Sequence, residues 1–399
     1  MDFRLSPETE ELRLRIRRFV REEILPLEAD ASTFDEHENI RLDLLDTLRR
    51  KAKAEGLFSL QTPKELGGGG LSFVQMAACY EEMNHSLFGP VVFNSAAPDD
   101  GNIMVLSRIA TPAQKERWLL PIVRGEVRSA FAMTEPHPGA GSDPSMMQTT
   151  ATKEGDDWVV RGRKWFITGA GEATHFLLVA KTSDHPRKGL TCFLFHRDQP
   201  GWSIERRIPI LGPEEHGGHC ELVFDGLRIP DENRVLEVGD GLKVTQIRLG
   251  PARLTHCMRW LGLAKRSLSI ATEYVQRRES QGKKLSEREG VQWMLGEAAM
   301  QIDIGRLLTM RAAFALDQGD FARKEISTAK VVVSEALQKA VDTSIQLCGA
   351  RGYSRDTALE WIYRYARQAR LVDGASEVHK MVLSRFLLDE GDDYFRWGV

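Results

Sequence analysis

The stretch DWVVRGRKWFITGAGEATHFLLVAK, residues 157–181, decides how this chain is built. DWVVRG, KWFITGA and HFLLVAK are short runs rich in β-branched and aromatic residues, parted by glycine turns. GLTCFLFH (189–196), GWSIERRIPI (201–210) and HCELVFDGLRIP (219–230) continue the pattern. Strands this close together, with no helix between them, predict an antiparallel barrel or sandwich rather than βαβ units.

On both sides the period changes. Upstream, Leu12, Ile16, Phe19, Val20 and Ile24 recur at helical spacing, with Pro26 as the expected stop, and Leu42, Leu45 and Leu48 continue in that style. LGGGGLS (66–72) reads as a loop and FVQMAACYEEM (73–83) as the next helix. TPAQKERWLLPIVRG (111–125) predicts a short helix capped by Thr111, with Pro112 at its first position. Downstream, Val291, Met294, Leu295, Ala298, Ala299 and Ile302 form a helical stripe, and long helices with short connections read as a bundle. The expected fold is mainly α with a β domain: an N-terminal helical domain (1–126), a central β-barrel or sandwich (127–239) and a C-terminal helical bundle (240–399).

Composition removes several classes of function. The net charge is −3 and no long basic run occurs, so nucleic acid is not an expected partner. Cys79, Cys192, Cys220, Cys257 and Cys348 are scattered, with no CxxC pair. That predicts neither disulfides nor a zinc site, and a reducing, cytoplasmic location. The N-terminus has no apolar signal core, and no run approaches the roughly 20 apolar residues of a membrane span. GAGEAT (169–174) lacks the third glycine and the βαβ setting of a dinucleotide fingerprint. HGGHC (216–220) could offer a metal three ligands but reads better as a glycine turn entering a strand, so no metal is expected.

SAFAMTEPHPGAGSD (129–143), followed about twenty residues on by the aromatic-Ile-Thr of GRKWFITGAGEATHFLLVAKT (162–182), resembles the flavin-binding middle domain of the acyl-CoA dehydrogenase family. RLGPARLTHCMRWLGLAKRSL (248–268), RRESQGKKL (277–285), QLCGARGYS (346–354) and DGASEVHK (373–380) follow in family order, so the likeness covers nearly the whole chain. It implies that helical domain, β-barrel and four-helix C-terminal bundle enclose FAD. The implied reaction is α,β-desaturation of an acyl-CoA thioester, with a proton to a carboxylate and a hydride to flavin N5. The GPxR, HCMR and DGxxEVH elements are similar to a branch whose base is Asp, which places that role on Asp373. Without the family frame, Asp373 reads as the cap of the helix that follows.

The resemblance extends residue by residue. Phe131, Met133 and Thr134 correspond to positions near the flavin ring, and Ser142 to a serine that contacts cofactor and acyl chain. Phe166, Ile167 and Thr168 match the segment over one flavin face, although an alternating strand would equally make Phe166 core. Arg278 matches an arginine reaching the FAD diphosphate of a neighbouring subunit; its competing reading is a solvated helix residue. Gln346, Gly349 and Ala350 match contacts to the neighbour's adenosine half, with Ala375 and Glu377 on the adenosine side. Arg253 and Gly374 fall near substrate, with a structural ion pair as the other reading of Arg253. Gln281 and Ala350 depart from the usual aromatic and glycine. Shared contacts imply a homodimer or a dimer of dimers, and the family implies an electron-transferring flavoprotein as acceptor. The alternatives are an oxidase of the same fold, acting on acyl-CoA or a nitroalkane, and a non-enzymatic helical adaptor. The Asn- and Asp-rich VVFNSAAPDDGN (91–102) bears on pocket depth.

Overall fold

The computed structural model describes residues 4–141 and 143–396. Helix α1 (Pro7–Phe19) starts on Ser6, whose hydroxyl accepts the Thr9 amide at 3.3 Å. Pro26 does not stop it. A π turn, Val20–Ile24, leads into the helical turn Leu25–Glu28, which carries Pro26 at its start. The wider turn absorbs the lost N–H and the ring's clash with the preceding turn. The same solution recurs at Lys115–Leu119, ahead of Pro121 in Leu120–Val123. Upstream of it, Thr111 caps as expected, its hydroxyl accepting the Gln114 amide. The other N-terminal helices used below are α2 (Leu42–Ala54), α3 (Phe73–Met83) and α4 (Asp99–Ile109).

Among the described residues eight strands form one sheet: β1 (Ser129–Ala132), β2 (Thr150–Glu154), β3 (Asp157–Thr168), β4 (His175–Lys181), β5 (Leu190–His196), β6 (Trp202–Arg207), β7 (His219–Pro230) and β8 (Arg234–Val235). The order is β6-β7-β3-β2-β4-β5-β8, with β1 beside β4. Most pairs are antiparallel, but β1 and β2 both pair with β4 in parallel, so the purely antiparallel expectation is corrected. A run of residues shows that it is a strand; it does not show its partner. DWVVRG and KWFITGA, read as separate runs, are one strand, irregular at Val160/Arg161 and again between Lys164 and Ile167. The sheet curls round its own core, which includes Val160, Ile167, Phe176, Phe193, Phe195 and Leu222. Its other face, with Leu177, Val179 and Leu194, packs on Ile103, Trp118 and Val244.

The C-terminal part holds α5 (Gly241–Arg277), α6 (Glu289–Asp317), α7 (Arg323–Cys348), α8 (Leu359–Gln368) and α9 (Ser376–Glu390). The 37 residues of α5 make a rod about 55 Å long. It packs along α6 and α7, reaches α3 and α4, and touches β5. On α6, Ala298 and Ile302 are buried, while Ala299, which the sequence put in the same stripe, faces outward. At about 100° per residue, neighbours cannot both face one partner.

A buried carboxylate ties the helical parts together. Glu82 on α3 accepts from Arg13 Nη1 at 2.5 Å and Arg17 Nη2 at 2.7 Å on α1, and from Lys265 Nζ at 2.9 Å on α5. Burial would raise its pKa, but the Arg17 and Lys265 hydrogen bonds outweigh that and hold it at about 2. A carboxyl depressed in the fold stabilises fully above its unfolded value, and that contribution is lost as pH falls toward 2. Removing it takes the carboxylate from Arg17, while Arg13 keeps Glu10 and Lys265 keeps Glu81, so Glu82→Ala should cost about 1–3 kcal/mol in denaturant unfolding. The variant's stability should also fall less steeply than wild type between pH 4.5 and 2.

Candidate active site

The three parts of the chain meet at a cavity of about 200 Å³. Pro98 and Asp100 line it from the start of α4, Phe131, Thr134, Phe166 and Thr168 from the sheet, Arg248, His256 and Trp260 from α5, and Asp373 from the loop between α8 and α9.

Asp373 is held in an unusual backbone. Its φ is 52° and that of Gly374 is 98°, two successive left-handed residues. Such a conformation persists in a non-glycine residue only where its surroundings impose it. Here they do: Arg253 Nε donates to the Asp373 carbonyl at 2.7 Å, and Lys330 Nζ to the Gly374 carbonyl at 2.7 Å. His379 completes the grip, with Nε2 3.4 Å from the Asp373 carbonyl and Nδ1 3.1 Å from the Ser327 hydroxyl. Burial, then the Arg253 and Lys330 charges, lower the His379 pKa to about 4, so this ring is neutral at pH 7. A Cβ on Gly374 would lie 3.1 Å from His379 Nε2.

The Asp373 side chain does not cap α9, whose first turn follows Ala375 and has no side-chain cap. Its Oδ2 lies 3.4 Å from His256 Nε2 instead. Burial pushes the carboxyl up, but the His256 contact and the Arg248 and Arg253 guanidiniums outweigh it and keep it well below the usual carboxylate range. Arg248 is itself buried, with Nε donating to Asn102 Oδ1 at 2.8 Å and its guanidinium 4.0 Å from the centre of the Phe131 ring. The polar residues at the end of VVFNSAAPDDGN are thereby occupied. Asp99 pairs with Arg128 at 2.6 Å, and Asp100 with Arg259 and the Thr255 hydroxyl.

Across the cavity, the irregularity in β3 explains Phe166. With φ at 50° the residue leaves the alternation, and its side chain is 43% exposed at the cavity instead of joining the core. Ile167, next in sequence, is turned into the sheet core. The Thr168 hydroxyl lies 3.0 Å from His219 Nδ1, while the Thr134 carbonyl accepts the Trp165 amide at 2.9 Å. Beneath this edge, Lys164 is wholly buried and donates to the Met133 carbonyl at 2.8 Å and to Glu135 Oε1 at 2.9 Å. Glu135 also accepts the Ala140, Gln148 and Thr149 amides, so one ion pair fixes both ends of the 133–149 segment. In the HGGHC turn, His216 bonds the Ile40 carbonyl at 2.9 Å and His219 meets Glu215 at 2.9 Å.

Of the positions the sequence singled out, Phe131, Thr134, Phe166, Thr168 and Asp373 meet at the cavity, with Arg253 and Gly374 directly behind the last. Met133 is buried and presents only backbone. Ala375 starts α9 half-buried, and Arg278, Gln346, Gly349, Ala350 and Glu377 are exposed and outside the lining. Ser142 lies outside the described residues. Sequence reading assigned no role to Arg248, His256, Lys330, His379 or the Lys164–Glu135 pair. One signal was available: at about 100° per residue, Arg248, His256 and Arg259 fall within about 80° of one another, on one face of the helix.

A helical part, a curled sheet and a bundle closing over a loop-borne carboxylate define a class of oxidoreductase fold, and comparison with known proteins gives it a family. Models of the N-terminal, middle and C-terminal domains of acyl-CoA dehydrogenase match residues 6–126, 130–227 and 239–388. The chain belongs to the acyl-CoA dehydrogenase family. Acyl-CoA dehydrogenase family member 11 of Gallus gallus is 36% identical over 97% of this chain and 52% of its own length, so the chain spans about half of that relative. FadE2 of Mycobacterium tuberculosis, which carries the acyl-CoA dehydrogenase name, is 34% identical with 100% of each chain covered. A solved structure from Mycobacterium abscessus with the same family name is 37% identical, with a TM-score of 0.90 over 97% of this chain and 100% of that one. The FAD complex of PigA is 25% identical, with a TM-score of 0.87 over 98% of this chain and 100% of that one.

Gly374→Ala combines a left-handed backbone with a Cβ pressed against His379, and should cost about 1–2 kcal/mol from the backbone alone. Thermal unfolding measures that loss, and the effect should be larger than for Gly290→Ala, where a Cβ meets nothing within 4 Å.

Proposed function

We propose that the chain is an FAD-dependent acyl-CoA dehydrogenase in which Asp373 removes the α-proton of the thioester. The observation that supports this most directly is the placement of Asp373: a carboxylate on the cavity wall, kept ionised by His256, Arg248 and Arg253, with its backbone pinned from three helices. An α C–H is a weak acid, so the base must be deprotonated and aimed before substrate arrives. Entry of an acyl chain would displace water from around Asp373, which raises its basicity.

The residues lining the cavity support a flavin there. Phe166 presents an aromatic face, Thr134 and Thr168 line the same side, and His216 lines the cavity with a buried Nδ1 that finds no protein partner among the described residues. These residues, with the Phe131–Met133 backbone, would hold the isoalloxazine. FAD, when bound, supplies the acceptor for the electron pair and hydrogen leaving the β-carbon. Arg278, Gln346, Gly349 and Ala350 would serve the cofactor of a neighbouring subunit, which accounts for their exposure away from this chain's own cavity. A homodimer or a dimer of dimers is further supported by Trp293, Met300, Ile304, Leu307 and Phe314, an apolar stripe along the outer face of α6 that is 44–64% exposed. Electrons would leave to an electron-transferring flavoprotein. The substrate class is an acyl-CoA, with a long or modified acyl chain suggested by the polar wall above α4.

Stopped-flow flavin bleaching with a panel of acyl-CoAs tests the reading. Asp373→Asn should bind FAD as wild type does but reduce it at least about 10²-fold more slowly. A reduction rate within a few-fold of wild type would remove Asp373 from the role. Rapid peroxide release by the reduced enzyme in air would favour the oxidase.

A further inference from the structure

We propose that His256 is a positioning residue for the base: its Nε2–H donates to Asp373 Oδ2 and leaves Oδ1 free to take the proton from the substrate α-carbon. The inference rests on the reading of Asp373 as base and adds a second residue to it.

Three observations carry it. His256 lines the cavity beside Asp373, with Nε2 and Oδ2 3.4 Å apart. That is longer than a mature hydrogen bond, as resting catalytic contacts commonly are before substrate tightens them. The ring is held by stacking on Trp260, with centroids 5.1 Å apart and planes at 26°. The opposite nitrogen, Nδ1, is buried and has no protein partner among the described residues. A proton on Nδ1 would have no acceptor, whereas a proton on Nε2 has the carboxylate, so the surroundings select the tautomer that points at Asp373.

The step balances within the pair. The substrate Cα–H bond breaks, its electron pair stays on the substrate, and an O–H bond forms at Oδ1. His256 keeps its own proton throughout and fixes the carboxylate plane. Other charged or titratable groups around the pair have different attachments. Arg253, Lys330 and His379 hold backbone carbonyls at 373 and 374. Arg248 is bound to Asn102, and Asp100 to Arg259. Among the described residues, His256 alone is within ion-pair distance of the Asp373 carboxylate itself.

Losing a donor to an ionised carboxylate makes it easier to protonate, so the rate should then fail at a higher pH on the acid side. In His256→Phe, which keeps a ring to stack on Trp260, the acid limb of the single-turnover reduction rate should move up by about one to three pH units. Its plateau should drop about 10- to 100-fold, the worth of a hydrogen bond to a charged group, with KM little changed. His256→Gln, which can still donate near the Nε2 position, should recover most of both. A reading independent of turnover uses ¹⁵N-labelled histidine: the His256 nitrogen shifts should report a proton on Nε2 and not on Nδ1 of the neutral ring. An unmoved limb in His256→Phe, equal loss in Phe and Gln, or a His256 proton found on Nδ1 would overturn the pairing. Asp373→Asn separates the two ideas. Near-wild-type reduction in that variant sinks the base assignment, whereas its loss beside a normal His256→Phe sinks only the role of His256.

Discussion

Two adjacent carbonyls, those of Asp373 and Gly374, govern the site. Each points at a donor that arrives from elsewhere: Arg253 from α5, Lys330 from α7 and, more distantly, His379 from α9. A loop with successive positive φ angles would relax if left to itself. Charge-assisted bonds to its backbone hold it, and the carboxylate is aimed as a by-product. The cost falls on the donors. Burial lowers the Lys330 pKa to about 8, and burial with the neighbouring cations keeps His379 neutral. A neutral imidazole can donate from one nitrogen while it accepts from Ser327 at the other.

The same economy of parts shapes the opposite wall. Lys164 is as deeply buried as any described residue, yet it does not line the cavity. Its partner Glu135 gathers three backbone amides, so the segment between Met133 and Thr149 is set by one ion pair. The β3 irregularity then turns Phe166 outward against that fixed edge. Rigid supports under mobile-looking loops are the usual way a fold places reactive groups on connections and keeps their geometry.

Much of this was legible in the sequence and some was not, for physical reasons. The alternation of periods gave the α, β, α order, because burial on one face leaves a pattern in any chain. Asp373 and its glycine were marked by the DGASEVHK motif, whereas local capping rules alone pointed to a helix cap. Phe166 was ambiguous because an irregularity that shifts the pleat leaves the surrounding alternation intact. Pro26 misled because its penalty can be absorbed by a local widening of the helix. The Arg248–Asn102 and Asp100–Arg259 contacts were invisible because roughly 150 residues separate the partners. No local pattern encodes a pairing of that range. Only the recurrence of Arg248, His256 and Arg259 on one face of α5 hinted that this face was polar for a reason.

The length of α5 has a consequence for how this chain can change over time. Arg248, Arg253 and His256 are set by their phase around one helix, which continues through Pro251. A one-residue insertion or deletion between them would rotate everything beyond it by about 100° and carry His256 or Arg253 away from the loop they serve. Substitutions can accumulate along α5, but its residue count between these positions is frozen. Gains and losses of length must fall in the connections, such as the glycine-rich stretch before α3 and the 278–288 turn.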